Sequence, residues 1–415
     1  MAGPGVHHTG GMRLRWSAPT AGRVADARQR FVALVLGVVV ASFGGLVLAS
    51  AEGTLAALPG LLLLVPGAIA LRGNVFGAMG SRLGTAVHAG TFRFSLHPDG
   101  VVGQNLLASA VLTLSLSTVL AVLAKGTVVV FGLSPTMTLA DFVVVSTLGG
   151  LLASVVLAAL TVGLAAGSVR FGWDLDNVIA PLVTTLGDLL TVPALVLAAV
   201  LADRSGLTDG LAAALATVSV GVLVVAWRIP TDRLRGIVRQ SVPVLGVAAV
   251  FDLVAGLTLE KRLDDLLAAE AILVLLPAFL GTAGALGAIL SSRLSTQFHL
   301  GLDDASPVPS RSSMGNIVDL VVLAVPVFVV GALVAHLVAQ ATGQSSPSLA
   351  DLVVVTILAG GLVTVLMVFV AYYTTMGAFR FGLDPDTYGI PMVTSTLDLV
   401  GAFTLILALV AVGVA

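Results

Sequence analysis

Long apolar runs recur along this chain, at about 31–50, 55–73, 104–124, 139–167, 178–202, 207–227, 241–259, 266–290, 316–339, 349–377 and 388–414. A helix of about 18 or more such residues matches the hydrocarbon thickness of a bilayer and satisfies its backbone polar groups within its own segment. The runs are continuous and lack the period-2 alternation of a transmembrane barrel. They predict an all-α polytopic membrane protein of about eleven spans. Composition agrees, since 57% of the 415 residues are hydrophobic and 10% are charged, too few charges to clothe a soluble surface of that size. No basic cluster with interleaved aromatics suggests nucleic acid as a partner. The absence of cysteine excludes disulfides, thiolate ligands and cysteine nucleophiles.

The second constraint is duplication. Pro66 to Gly90 aligns without gaps on Pro277 to Gly301, 211 residues later, and Asn105 matches Asn316 at the same offset. Leu139-Ala140-Asp141 matches Leu349-Ala350-Asp351 at an offset of 210, as does Arg170-Phe171-Gly172 on Arg380-Phe381-Gly382. Five spans reverse a chain's direction across the membrane, so two adjacent five-span repeats would be inverted. The run Leu207 to Trp227 matches neither half. If it spans, the halves are parallel and related by a pseudo-two-fold axis along the membrane normal. The expected organisation is a basic cytoplasmic tail (1–30), a first repeat (31–203), a linker helix with its inner loop (204–240) and a second repeat (241–415).

Ala49-Ser50-Ala51 resembles a signal cleavage site. The run Phe31 to Leu48 is longer than a usual signal core and has a counterpart at Val242 to Leu259, so it is expected to stay as a helix. With the N-terminus inside, fifteen Lys and Arg fall in inner segments and four in outer ones, with Arg72 placed at a helix end. That bias predicts a multi-pass protein of the cell membrane, N-terminus cytoplasmic and C-terminus outside.

The chemistry concentrates in two matching stretches. Ala180-Pro181-Leu182-Val183-Thr184-Thr185-Leu186-Gly187-Asp188 is paralleled by Ile390-Pro391-Met392-Val393-Thr394-Ser395-Thr396-Leu397-Asp398. Each places one carboxylate in an otherwise apolar helix, and an ionisable group at membrane depth is expensive unless it faces protein or water. Facing carboxylates repel unless a cation lies between them or one is protonated. Thr184, Thr394, Thr185 and Ser395 put hydroxyl oxygens on the preceding turn, and Thr184 and Thr394 precede the acids by four residues, on the same helix face. Carboxylate, hydroxyl and carbonyl oxygens suit a hydrated Mg²⁺. The sparse histidine and absent cysteine disfavour softer metals.

The competing reading has each aspartate merely bonding a neighbouring helix. Asp174 and Asp384, with Asp176 and Asp386, precede these helices, either as helix-start acids or as a cation-collecting inner mouth. Asp141 and Asp351 read as helix caps rather than an outer mouth, and Arg82, Arg293, His88 and His299 as loop anchors. Asp252, Glu270 and Asp319 occur in the second half alone, marking divergence or simple packing polarity.

The Ser-Arg-Leu-x-Thr-x-x-His-x-Gly block (from Ser81 and Ser292) and the Asp-x-Asp-x₄-Pro-x-Val-Thr-(Ser/Thr)-x-x-Asp block (from Asp174 and Asp384) resemble the membrane domain of the MgtE family of magnesium channels. The tandem arrangement around a linker span resembles solute carrier family 41 and its prokaryotic two-domain relatives. The resemblance implies a transporter rather than an enzyme, with no catalytic or cofactor-binding group. It implies Mg²⁺, or a related divalent cation, as the transported ion, with Asp188 and Asp398 at the ion site, Thr184 and Thr394 one turn earlier, and Asp174 and Asp384 at the inner mouth. The expected partners are the lipid bilayer and the cation. Both sides of the path belong to one chain, so a monomer is expected to suffice. Two alternatives remain: an exchanger coupled to Na⁺ or H⁺ through the same aspartates, and an intramembrane aspartyl protease. Resemblance to that protease family would need a Gly-x-Gly-Asp sequence at one acid, and neither Asp188 nor Asp398 has it.

Overall fold

The computed structural model describes residues 19–171, 175–204, 208–228, 232–383 and 388–414. Among them the regular structure is all helical: α1 (Pro19–Ala49), α2 (Glu52–Ala57), α3 (Leu61–His88), α4 (Val101–Val130), α5 (Leu139–Phe171), α6 (Leu175–Arg204), α7 (Thr208–Arg228), α8 (Asp232–Glu260), α9 (Leu263–Ala268), α10 (Glu270–His299), α11 (Arg311–Thr342), α12 (Leu349–Arg380) and α13 (Ile390–Val412). Eleven of these, all but the short α2 and α9, are long and apolar enough to cross a membrane. That matches the expected span count.

The duplication is visible in how the helices pack. Helices α1 to α6 correspond to α8 to α13, with α7 between them, and each packing pair of long helices in one half has its equivalent in the other. The first helix of each half is exchanged across the repeat. α1 packs on α10 and α11 of the second half as well as on its own α6, and α8 packs on α3 and α4 of the first half as well as on its own α13. The result interlocks the halves about a pseudo-two-fold axis, with α3 and α10 most deeply enclosed: 67% and 78% of their spans are buried, against 17% for α7.

Glycine makes the two crossings possible. A Cβ at Gly45 would stand 2.7 Å from the Leu273 carbonyl oxygen, and one at its equivalent Gly256 would stand 2.8 Å from the Leu63 carbonyl carbon. Both crossings fall just before an in-helix proline, Pro277 in α10 and Pro66 in α3. Proline removes the hydrogen bond to the carbonyl four residues earlier, here Leu273 and Leu62. Helices in lipid are held by such close van der Waals approach, because apolar burial gives no drive there. Between the halves, Glu260 at the end of α8 also caps α3. Its Oε1 accepts from the Gly60 amide (2.6 Å) and its Oε2 from the Leu63 amide (3.1 Å). Gly60 supplies the turn at φ 99° that brings these donors round.

Two local expectations change and a third holds. The second span does not end near residue 73: α3 continues to His88, so Arg72 lies mid-helix and is 1% exposed. Arg82 and Arg293 are likewise helical rather than loop anchors, because the apolar register carries on past them. Arg82 Nε donates to Asn105 Oδ1 (2.7 Å) and Arg293 Nη1 to Asn316 Oδ1 (3.3 Å), the same clamp to the next helix made twice. Asp141 and Asp351 do serve at helix starts: Asp141 and Thr138 form a reciprocal capping box, and the Ser348 hydroxyl accepts from the Asp351 amide and donates to its carboxylate.

Gly256→Val should separate α8 from α3 and destabilise the protein by about 1–3 kcal/mol, read as a lower midpoint in thermal unfolding in detergent. Gly221→Val, on the exposed face of α7 with open space around it, should leave the midpoint unchanged. Equal midpoints for the two variants would refute the crossing as a stabilising contact.

Candidate ion site

The symmetry brings α6 and α13 to the interface between the halves. Asp188 lies ~20 Å along α6 from Leu175 and Asp398 ~12 Å along α13 from Ile390, at 1.5 Å per residue. Both residues are of intermediate exposure despite that depth. They stand within electrostatic reach of each other. The Asp188 carboxylate is aimed at α10, where a Cβ on Gly281 would stand 3.0 Å from Oδ2. One turn on, Gly284 of α10 faces Thr394, at 3.8 Å from the Thr394 Cβ. The α6 side is equally close-set, with Gly187 beside the Gly73 backbone (3.9 Å) and Gly44 of α1 over the Asp188 carbonyl oxygen (3.0 Å). Glycines of α1, α3 and α10 thus pack closely around the pair.

The expected hydroxyl ligands divide between the core of the site and its flanks. Thr394 Oγ1 donates to Pro391 O within its own helix (3.1 Å) and is partly exposed. Thr185 faces α1, its Oγ1 3.5 Å from where a Gly37 Cβ would be. Ser395, the equivalent of Thr185, faces α8 and donates to Asp252 Oδ2 (3.1 Å). Asp174 and Asp384, with the side chain of Thr184, lie outside the described residues.

Asp252 belongs with this group, and the sequence reading left it undecided. It is 2% exposed, within electrostatic reach of Asp398, and packed with its Cβ 3.5 Å from the Cβ position of Gly67 in α3. The available signal was a carboxylate inside the otherwise apolar run Val242 to Leu259. Its depth was legible there, whereas its partner helix was not.

A second asymmetric group lies in the first half. Arg72 Nη2 donates to Ser117 Oγ (2.6 Å) and Nη1 to Ala68 O (3.1 Å), and the guanidinium fills the space beside Gly150. In the second half the equivalent residues are Ala283, Phe328 and Gly360, and the Phe328 ring fills the same slot, 2.7 Å from the Cβ position of Gly360. The slot is conserved in shape between the repeats and differs in charge.

Among the described residues no three His, Cys, Asp or Glu side chains converge closely enough to hold one metal ion directly.

A family model described as MgtE, divalent cation transporter, matches the chain twice, over residues 65–198 and 276–408. The chain is 28% identical to solute carrier family 41 member 2 of Macaca fascicularis over 382 residues, which is 84% of this chain and 63% of that protein. The human member 2 is 28% identical over 383 residues, with the same shares. Member 3 of Mus musculus is 26% identical over 377 residues, 84% of this chain and 74% of that protein. The chain therefore spans about 63% of the length of the first of these relatives. No solved structure matches.

Gly281→Val should crowd the Asp188 carboxylate and lower cation uptake by about tenfold, a 1.4 kcal/mol effect on the barrier, while Gly77→Val, which meets open space, should not. Uptake by reconstituted protein decides this, and equal rates would detach Gly281 from the site.

Proposed function

This chain belongs to the MgtE family of divalent cation transporters, and from that premise we propose that it carries Mg²⁺ across the membrane along a path between its two repeats. The observation that carries the reading is the pairing of Asp188 with Asp398. Equivalent helices of the two halves contribute them, they lie within mutual electrostatic reach, and both keep accessible surface deep in the bundle.

The chemistry follows from that geometry. At an effective dielectric of about 20, two unit charges 4–8 Å apart repel by about 2–4 kcal/mol. A divalent cation between them converts the repulsion into attraction. Monovalent ions gain half as much from the same pair, so the site favours divalents. Mg²⁺ dehydrates reluctantly and is held through one or two carboxylates with water filling the remaining positions. Thr394, and Thr184 by its equivalence, supply further oxygens along the path, and Thr185 and Ser395 orient the flanking helices. Asp174 and Asp384 gather cations at the inner mouth. The organising units are a basic segment (1–30), the first repeat (31–203), the linker (204–240) and the second repeat (241–415). The placement of Arg and Lys supports insertion in the cell membrane with the N-terminus inside.

Asp188→Asn and Asp398→Asn should each cut Mg²⁺ uptake into proteoliposomes by at least about tenfold while leaving the protein folded. Unchanged uptake in both would make the acids packing groups and remove the proposal's basis. Because one chain supplies both sides of the path, co-reconstitution with Asp398→Asn chains should lower uptake linearly with their fraction. A steeper fall would mean that the path needs two chains.

A further inference from the structure

Asp252 has no counterpart in the first half, and this makes it informative. The equivalent position in α1 is Ala41, which is also buried (2% exposed). It sits between Gly37 and Gly44, the residues facing Thr185 and the Asp188 backbone. Ala41 therefore looks onto α6 as Asp252 looks onto α13. The fold needs no carboxylate at this position, because the mirror helix packs there with a methyl group. A buried carboxylate is costly, and this one is poorly served: Oδ2 accepts one hydrogen bond, from Ser395 Oγ, and Oδ1 is buried with no hydrogen-bond partner. Gly67 faces its Cβ, and the group within its electrostatic reach is another acid, Asp398. Such a group is retained at a loss in stability unless a cation uses it.

We infer that Asp252 is a third carboxylate of the same ion path, lying off the pseudo-two-fold axis and making the site one-sided. The inference rests on the proposed Asp188–Asp398 site and extends it. With two acids on the axis a hydrated divalent cation would sit midway. The third draws it towards α8 and α13, where Asp398 and Asp252 flank it with Ser395 between them in contact with Asp252. The negative charge in the site exceeds what one divalent cation balances, so the added acid raises affinity and holds the ion longer. Ser395 is then a positioning residue: its hydroxyl fixes Oδ2 and leaves Oδ1 for the ion's water.

The test is Mg²⁺ uptake into proteoliposomes measured as a function of Mg²⁺ concentration, for native protein, Asp252→Asn, Asp252→Ala and Asp398→Asn. The asparagine keeps an acceptor for Ser395 and removes only the charge. Asp252→Asn should raise the concentration for half-maximal uptake by about tenfold, the order that loss of one unit charge from a poorly hydrated site produces, with Asp252→Ala at least as impaired. Native concentration dependence in Asp252→Asn would overturn the inference. If Asp252→Ala alone were impaired, the residue would be a clamp between α8 and α13 and no part of the ion's shell. Asp398→Asn separates the two proposals. Loss of uptake there with a native Asp252→Asn sinks this inference alone, whereas native uptake in Asp398→Asn sinks the parent reading.

Discussion

The structure depends on two close crossings, α1 over α10 and α8 over α3. Lipid offers no hydrophobic drive for helix association, so the contacts must come from backbones that approach closely. Gly45 and Gly256 allow this approach, and Pro277 and Pro66 loosen the turns they approach. Each crossing joins a helix of one half to the central helix of the other. Neither half can therefore shift without moving its partner, and the equivalent acids of α6 and α13 are held at matching heights. Glu260 adds a polar tie of the same kind, capping α3 from α8.

On this symmetric frame the two halves carry different charges. The first half has Arg72 in a slot that the second fills with Phe328, and the second has Asp252 where the first has Ala41. Burying unpaired charge in a membrane domain is expensive. Duplicated halves start equal, and apolar packing alone is satisfied by the alanine or the phenylalanine, as each half demonstrates for the other. The charged versions consequently mark positions where packing does not dictate the residue. Arg72 is tied into the hydroxyl-rich contact of α3 with α4 through Ser117. The asymmetry thus places a buried cationic side chain in one half and a buried carboxylate in the other.

Much of this was legible in the chain itself. The span count, the duplication and the unmatched linker follow from apolar run length and from residue identity at fixed offsets, both properties of sequence. The capping acids Asp141 and Asp351 were readable for the same reason, since a cap acts within one turn of its own helix. Arg82 and Asn105, and again Arg293 and Asn316, were visible as recurring residues. Their contact was not, because it depends on how far α3 extends before the chain turns. The extension also moved Arg72 from a helix end to the interior: hydropathy drops around Gly73-Asn74, and a hydropathy drop in a buried helix looks like a helix end.

What the sequence by itself determined is the set of membrane helices, their two-fold repetition and the two intramembrane aspartates that repeat with it, because each is encoded by local spacing. What the tertiary structure alone decided is which helices cross: the exchange of α1 and α8 between the halves, and with it the arrival of Asp252 beside Ser395 and Asp398. A helix face shows that it is able to pack closely, through its glycines, but not against which neighbour. Partner choice is a property of the assembled bundle, fixed only when every crossing is satisfied at once.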